Sequence, residues 1–262
     1  MTSVALVDPS RPTIGHGVRI ATSRTLTTVV WSPVAGAGRR WPLVVFAPGY
    51  RVGPGTYAEL CQFWAARGYV VAAPSFPLAD PAVAGTALDE GDLNNEPADV
   101  RFVMASLLDP AGPAAAITAI TAITAEIDPD KVAVAGHSDG AEVALAVAQP
   151  GTIMVKAAIA MAGQPVVPHK GPNPPLLVIQ GDRDTINPPA RSLAVYDQAT
   201  PPRFLLTLLG GSHLGPFSGT SPWTAIVDAV TVDFLNHYLA GTATDDTQMA
   251  TDAAHPGLSS LR

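Results

Sequence analysis

Short apolar runs alternate along most of the chain with segments whose apolar residues recur at helical spacing. Runs of this length, bounded by Gly and Pro, are typical of strands buried in a parallel sheet, whereas a 3.6-residue period indicates amphipathic helices. The predicted strands are 26–31, 42–47, 69–73, 131–135, 155–161, 175–180 and 204–209. The predicted helices are 55–67, 95–108, 141–148, 188–199 and 222–238. This alternation predicts an α/β fold, a mainly parallel doubly wound sheet with helices on both faces.

Four segments lack this pattern. Residues 1–25 are polar and interrupted by Pro and Gly, and residues 74–96 show no periodicity, which suggests the rim of a pocket. Ile-Thr-Ala occurs three times near residues 117–125, which favours a short surface helix over a functional repeat. Residues 242–262 are polar, and we expect a disordered tail there. We therefore expect a single domain over residues 1–241, with its core at about 26–239.

Composition narrows the partners that the protein can have. The chain has 262 residues, 47% hydrophobic and 14% charged, with a net charge of -7 and no Lys/Arg cluster, which argues against nucleic acid. Its single cysteine, Cys61, allows no internal disulfide or cysteine metal framework, and we expect a buried, inert thiol. No apolar run is long enough to cross a membrane or to form the core of a signal peptide. We expect a soluble, cytoplasmic protein without metal or cofactor, with a trimmed secreted form as the alternative.

The strongest motif is Gly136-His137-Ser138-Asp139-Gly140, between a predicted strand and a predicted helix. A Gly-x-Ser-x-Gly turn in this position exposes the serine hydroxyl at the sheet edge, and its glycines leave room for close backbone contacts. The following helix offers free N–H groups and the positive end of its dipole. We predict Ser138 as a nucleophile. His137 cannot fold back onto Ser138, so we expect it to have a structural or pocket-lining role.

A serine nucleophile needs a base, and the base needs an acid to orient it. Of the six histidines, His213 directly follows the last predicted strand, whereas His16, His169, His237 and His255 are better explained as surface or packing residues. The strand 175–180 is followed by Asp182 and Asp184. We prefer Asp184 as the acid because it lies further from the strand, and we expect Asp182 to bond turn N–H groups or to pair with Arg183. The order Ser138, Asp184, His213 is that of α/β-hydrolases.

These motifs, with Phe46-Ala47-Pro48-Gly49-Tyr50 and Gly181-Asp182-Arg183-Asp184, make the sequence resemble the α/β-hydrolase fold family. It is similar to the branch of cutinase-like polyester hydrolases, chlorophyllases and relatives of platelet-activating-factor acetylhydrolase. The resemblance implies an oxyanion hole formed by the backbone N–H groups of Tyr50 and Asp139. Two departures argue against synthetic polyester as the substrate. The segment Ala160-Met161-Ala162 lacks the aromatic clamp, and a carboxylate stands at Asp139.

We therefore predict a serine carboxylic-ester hydrolase that works through an acyl-enzyme, with Tyr50, His137, Asp139 and Met161 lining its pocket. Two alternatives remain open at this point: a peptidase or amidase with the same residues, and a non-catalytic ligand-binding protein. The expected partner is a small ester, which could be lipid-like. The expected assembly is a monomer or a small homo-oligomer.

Overall fold

The computed structural model describes residues 1–34, 38–109, 118–166, 172–242 and 245–262. The strands in these residues are β1 (Thr2–Asp8), β2 (Thr13–Gly15), β3 (Val18–Ala21), β4 (Arg24–Trp31), β5 (Trp41–Ala47), β6 (Val70–Ser75), β7 (Ile127–His137), β8 (Ala157–Met161), β9 (Leu176–Gly181), β10 (Arg203–Leu208) and β11 (Ser259–Leu261). They form a nine-stranded sheet with the order β1-β4-β6-β5-β7-β8-β9-β10-β11 and a separate hairpin that pairs β2 with β3.

The six central strands, from β6 to β10, run parallel to one another. All residues of β5, β6, β8 and β9 are buried, which explains why their sequences are continuous apolar runs rather than alternating ones. In the register of the sheet, Val45 of β5 lies beside Val134 of β7, and Ala135 lies beside Ile159 of β8. The carboxyl ends of these strands therefore meet at one edge.

Helices cover both faces of the sheet. In β5, Leu43 and Val45 join a core with α3 (Glu96–Leu108) and α5 (Asp139–Ala148), whereas Val44 and Phe46 join a second core with α1 (Ala58–Ala66) and α7 (Thr224–Leu235). The mainly parallel, doubly wound α/β fold expected from the sequence is thus confirmed. The helices are α1 (Ala58–Ala66), α2 (Pro81–Ala84), α3 (Glu96–Leu108), α4 (Thr118–Ala125), α5 (Asp139–Ala148), α6 (Pro189–Gln198), α7 (Thr224–Leu235) and α8 (Asp246–Asp252).

Both ends of the chain differ from the sequence-based expectation. The expected irregular start forms β1, which pairs with β4 along its whole length and places Leu6 in the core. The expected disordered tail forms α8 and β11, with β11 antiparallel to β10 and Met249 buried. Both segments are ordered because their strands pair with the edge strands of the sheet. Pairing with a strand that is distant in sequence cannot be recognised from local composition. The prediction of a core limited to 26–239 and of a disordered tail was wrong.

The two internal segments without a clear pattern also contain short helices. Residues 74–96 include α2 and a 3₁₀ turn at Glu90–Asn94, and an additional 3₁₀ turn at Pro54–Tyr57 leads into α1. The described part of the Ile-Thr-Ala repeat forms α4, as expected, with Ile123 buried against the core, and Ile117 lies outside the described residues. A π-helical turn at Asn236–Ala240 extends α7.

Candidate active site

Ser138 lies at the sharp turn between β7 and α5. Its backbone adopts φ 57° and ψ -126°, a conformation that a non-glycine residue rarely takes. The flanking glycines make the turn possible, because a Cβ on Gly136 would overlap the Gly140 carbonyl and a Cβ on Gly140 would overlap that of Ala47. The Ser138 N–H donates to the Met161 carbonyl at 2.9 Å, which ties the turn to the end of β8. The side chain of Ser138 is thereby held at the carboxyl edge of the sheet.

Three side chains from three loops form one hydrogen-bonded chain at this edge. Ser138 Oγ lies 2.9 Å from His213 Nε2, and His213 Nδ1 lies 2.7 Å from Asp184 Oδ2. Asp184 follows β9 and His213 follows β10, so the adjacent parallel strands bring them together across 29 residues of sequence. The structure thus joins the three residues that sequence reasoning selected.

The carboxylate of Asp184 is buried and surrounded by donors. Its Oδ1 accepts hydrogen bonds from the backbone N–H groups of Ile186 and Asn187, both at 2.9 Å, and its Oδ2 also accepts from Gln180 Nε2 at 3.1 Å. Burial by itself raises the pKa of Asp184, but the hydrogen bonds from the His213 ring and these backbone amides outweigh it and lower the pKa below its ordinary value. The group is therefore a carboxylate near neutral pH.

Asp182, the other acid in this loop, has a different contact. Its Oδ1 accepts a hydrogen bond from the Gly210 N–H at 2.6 Å, in the turn that follows β10. It bonds a turn N–H group, as expected, although this turn is 28 residues away rather than local. Asp182 thus stabilises the loop that carries His213 without contacting the imidazole.

His137 is buried behind Ser138 and has partners on both ring nitrogens. Nδ1 lies 2.8 Å from the Tyr57 hydroxyl oxygen, and Nε2 lies 2.8 Å from the backbone carbonyl oxygen of His213. Burial, followed by the neighbouring His213, lowers the pKa of His137 to about 3, so its ring is neutral. The sequence suggested a structural or lining role for His137, but no sequence signal indicated Tyr57 as its partner.

Two backbone N–H groups lie next to the Ser138 turn. Asp139 is the first residue of α5, a position where the amide has no acceptor within the helix. Tyr50 precedes Arg51, whose φ of 63° turns the loop after β5. Within the described residues, no hydrogen bond occupies the Tyr50 N–H. These are the two amides that the family resemblance implied.

A cavity of about 400 Å³ opens beside Ser138 and His213. Apart from those two residues, its lining consists of Gly49, Tyr50, Val52, Tyr57, His137, Thr185, Ile186, Ser212 and Leu214. Tyr50 and His137 thus line the cavity, as the sequence suggested. Two expected lining residues do not: Met161 is fully buried in the core, and Asp139 lies outside the lining. Asp139 follows Ser138 in the chain, and the Met161 carbonyl accepts a hydrogen bond from the Ser138 N–H. Neither of their side chains lies on the cavity wall.

The comparison with known families agrees with this geometry. A family model described as Chlorophyllase matches residues 16–170, more than half of the chain. The chain belongs to the chlorophyllase family. Family membership makes it a hydrolase of the α/β-hydrolase superfamily. The match includes Tyr50 and Ser138 but ends before Asp184 and His213. No curated protein matches the chain.

In this chlorophyllase-family chain, Asp139 belongs to an acidic group beside the site rather than to the cavity wall. Burial, followed by the charge of Glu90, raises the pKa of Asp139, while His213 lowers it. One turn further along α5, burial is the main factor that raises the pKa of Glu142 to about 7. The local charge at the start of α5 therefore changes with pH around neutrality.

The other histidines lie away from this centre. His16 is exposed and lies against Leu88 and Asp89, His255 is exposed, and His237 packs on the Tyr238 ring. His169 lies outside the described residues. Cys61 is buried, as expected, and burial raises the pKa of its thiol.

Within the described ranges, no group of three or more His, Cys, Asp or Glu side chains is arranged to hold a metal ion. In the same part of the chain, none of the helices has the length and apolar character needed to cross a membrane.

Proposed function

We propose that this chlorophyllase-family hydrolase is a serine carboxylic-ester hydrolase. The observation that carries the proposal is the hydrogen-bonded chain from Ser138 Oγ through His213 to Asp184, at 2.9 and 2.7 Å. These distances are those required of a nucleophile, its general base and the acid that orients the base. The strained turn supports the proposal, because such strain persists where the surrounding structure holds a reactive group in position.

In the first half of the reaction, Ser138 Oγ attacks the ester carbonyl carbon and its proton passes to His213 Nε2. Asp184 keeps the Nδ1–H tautomer of His213 before this step and stabilises the imidazolium afterwards. The carbonyl oxygen becomes an oxyanion, which the Tyr50 and Asp139 backbone N–H groups stabilise. Donors of this kind typically contribute about 2.7–4 kcal/mol to transition-state stabilisation. Collapse then breaks the C–O bond, and His213 returns the proton to the departing alcohol.

In the second half, water attacks the acyl group on Ser138, and His213 takes a proton from that water. The second oxyanion collapses, Ser138 leaves as a hydroxyl with the proton from His213, and the carboxylic acid is released. Atoms and protons balance without a cofactor. The same residues thus act twice, first as base and then as acid.

The cavity supports an ester with an apolar part. Val52, Ile186 and Leu214 provide apolar lining, and Tyr50 adds an aromatic ring. Ile186 is 65% exposed, so burying it against a bound chain would remove apolar surface from water. Membership of the chlorophyllase family supports ester hydrolysis as well.

The decisive experiment is Ser138→Ala, assayed with p-nitrophenyl esters from acetate to palmitate and with a fluorophosphonate probe. We expect wild-type protein to turn over esters and to be labelled once, and the variant to lose both properties. Ser212→Ala is the matched control, because Ser212 lines the same cavity but lies outside the hydrogen-bonded chain. Undiminished activity of pure Ser138→Ala would refute the proposal.

The same assay separates the two alternatives. Faster cleavage of matched p-nitroanilides than of esters would indicate an amidase or peptidase. No turnover of either class by wild-type protein, together with saturable binding of the esters, would indicate a ligand-binding protein.

A further inference from the structure

The proposed reaction leaves two buried polar side chains beside the site unused. Tyr57 is fully buried and His137 is 2% exposed, although each carries a polar group that would cost free energy to bury without a partner. Both groups have partners, and these partners belong to the loops that carry the proposed reacting groups.

The directions of these hydrogen bonds follow from elementary chemistry. A backbone carbonyl can only accept, so the 2.8 Å contact with the His213 carbonyl requires a proton on His137 Nε2. Because the ring is neutral, Nδ1 then carries a lone pair, and the Tyr57 hydroxyl donates to it at 2.8 Å. The hydroxyl oxygen in turn accepts from the Gly49 N–H at 3.5 Å, a long contact at the limit of a hydrogen bond.

We propose that Tyr57 and His137 form a positioning relay, from Gly49 through Tyr57 and His137 to the backbone of His213, which holds the His213 ring against Ser138. This inference rests on the proposed function. The relay joins the loops after β5, β7 and β10, so it links the proposed oxyanion amide of Tyr50 to the nucleophile and the base. Tyr57 and His137 act through other residues and take no part in proton transfer.

Packing around the relay also restrains the loops after β5, β7 and β10. The ring centroids of His137 and His213 are 4.7 Å apart. Phe217, on the loop that follows His213, has its ring centroid 5.1 Å from that of His137. A Cβ on Gly49 would lie only 3.0 Å from the Ser138 Cβ and from the His137 carbonyl, so the loop after β5 contacts the turn directly. A displacement of the His213 backbone would therefore change the 2.9 Å distance to Ser138 Oγ.

Two substitutions at His137 separate the two halves of the relay. In His137→Gln the side-chain amide nitrogen can take the place of Nε2 and donate to the His213 carbonyl. In His137→Asn the shorter side chain can accept from Tyr57 but cannot reach that carbonyl. We expect kcat to be at least about tenfold lower in His137→Asn than in His137→Gln, with KM similar in both, because a displaced base typically costs up to about 10²-fold. Equal kcat values would overturn the proposal.

Tyr57→Phe tests the hydrogen bond from Tyr57 to His137, which does not itself contact His213. Loss of the hydroxyl removes the donor to His137 Nδ1 and the acceptor of the Gly49 N–H, so the bond from Nε2–H to the His213 carbonyl holds the ring by itself. We expect a loss of roughly tenfold in kcat, and a shift of the pH profile of kcat/KM. The matched control is Tyr69→Phe, which removes a buried hydroxyl that donates to Asn236 Oδ1 at 2.7 Å, away from the site. An equal loss of kcat in both variants would indicate general destabilisation and overturn the relay.

A readout independent of activity is ¹⁵N NMR of the histidine rings. We expect His137 in wild-type protein and in Ser138→Ala to be neutral and protonated on Nε2 from pH 6 to pH 9. In Tyr57→Phe we expect the ring to stay protonated on Nε2, with the Nδ1 resonance shifted by the loss of its hydrogen bond. A charged ring, or the Nδ1–H tautomer in wild-type protein, would overturn the relay.

Failure of the relay and failure of the proposed function give different results. If Ser138→Ala is inactive while His137→Asn keeps the kcat of His137→Gln, the esterase assignment stands and the relay is wrong. If Ser138→Ala retains activity, the esterase assignment fails and the NMR tautomer still decides whether the hydrogen bonds exist. If His137→Asn does not fold, Tyr57→Phe and the NMR readout decide.

Discussion

Among the buried polar networks of the described residues, two differ in the direction in which they shift the pKa of a carboxyl group. At the candidate site, both oxygens of Asp184 accept hydrogen bonds, and the pKa of Asp184 is lowered. On the β1 side of the sheet, Arg24 at the start of β4 bonds Asp92 and Asp99, which lie on the 3₁₀ turn before α3 and on α3 itself. Glu96 is buried in the same network, and among the described residues its Oε2 has no hydrogen-bond partner.

Asp184 and Glu96 are buried to a similar extent, so the hydrogen-bond donors around each carboxyl group decide the direction of its pKa shift. Burial is the first cause that raises the pKa of Glu96 well above its ordinary value, and the charges of Asp92 and Asp99 add to it. In the Arg24 network the buried Arg24 guanidinium bonds two carboxylates, and the partly exposed Arg11 pairs with one of them, Asp99. The site network instead ends at a partly exposed serine hydroxyl. The first arrangement serves stability, and the second leaves a reactive group accessible.

The largest expected effect is on activity, from Asp184→Asn. The amide would give His213 Nδ1 no charged acceptor, and in serine hydrolases with this arrangement such a change lowers kcat by about 10⁴-fold. Asp182→Asn is the matched control, because its oxygen can still accept from Gly210 and it does not contact His213. We expect that variant to stay within about threefold of wild type. The measurement is kcat for a p-nitrophenyl ester, and the reverse ranking would assign the acid to Asp182.

The second effect is on stability, from Arg24→Met. This change removes the Arg24 partner of Asp92 and leaves Asp99 with Arg11 alone, and breaking a buried ion pair typically costs about 3–5 kcal/mol. Urea unfolding measures the loss, and kcat of the folded fraction should not change. Arg203→Met is the control, since the hydrogen bonds of Arg203 to the described part of the chain go to backbone carbonyls at the end of α6. A similar loss in both variants would mean that the network around Arg24 has no special role.

The third effect is smaller and depends on pH. Because the folded-state pKa of Glu96 is raised, its contribution to stability is fully present below pH 4.5, the ordinary pKa, and is lost as the pH rises through the folded-state pKa. Each unit by which the pKa is raised corresponds to about 1.4 kcal/mol at high pH. Glu96→Gln should therefore unfold with less dependence on pH and be more stable than wild type at pH 8.

The pKa of Asp184 is shifted in the direction opposite to that of Glu96, so its effect on stability has the opposite dependence on pH. Its lowered pKa stabilises the fold above pH 3.8, its ordinary value, and that contribution is lost as the pH falls through the folded-state pKa. Urea unfolding at pH 3 to 8 therefore distinguishes the two acids. If Glu96→Gln and wild type had parallel stability curves over this range, folding would leave the pKa of Glu96 unchanged, which would contradict the prediction.

The smallest expected effect is from Asp139→Asn on charge selectivity. The sequence predicts Asp139 in the pocket lining, where a carboxylate would repel anionic esters, but its side chain lies outside the cavity wall. We expect the ratio of kcat/KM for anionic and neutral esters to change by less than about threefold, because the partly solvated charge is screened. Glu142→Gln, one turn along α5, is the control. A larger change that salt abolishes would restore Asp139 as a determinant of specificity.

Much of the fold could be predicted because it is encoded locally. The central strands are apolar runs because both of their faces are covered, and the Gly-x-Ser-x-Gly turn needs its glycines for reasons of backbone geometry. Asp184 and His213 could be selected because parallel strands end at a common edge. Neither β1 nor β11 could be predicted in this way, since an edge strand is specified by its partner across the sheet.

The sequence by itself thus determined the α/β architecture, the chlorophyllase-like motifs and three residues at one edge of the sheet. Only the tertiary structure decided that Asp184 rather than Asp182 contacts His213, since both acids follow the same strand and only one reaches the imidazole. It also decided that Asp139 and Met161 lie outside the cavity and that His137 joins Tyr57 to the His213 backbone. The physical reason is that a strand end specifies where a side chain begins, whereas its direction and partners depend on loops that are distant in sequence.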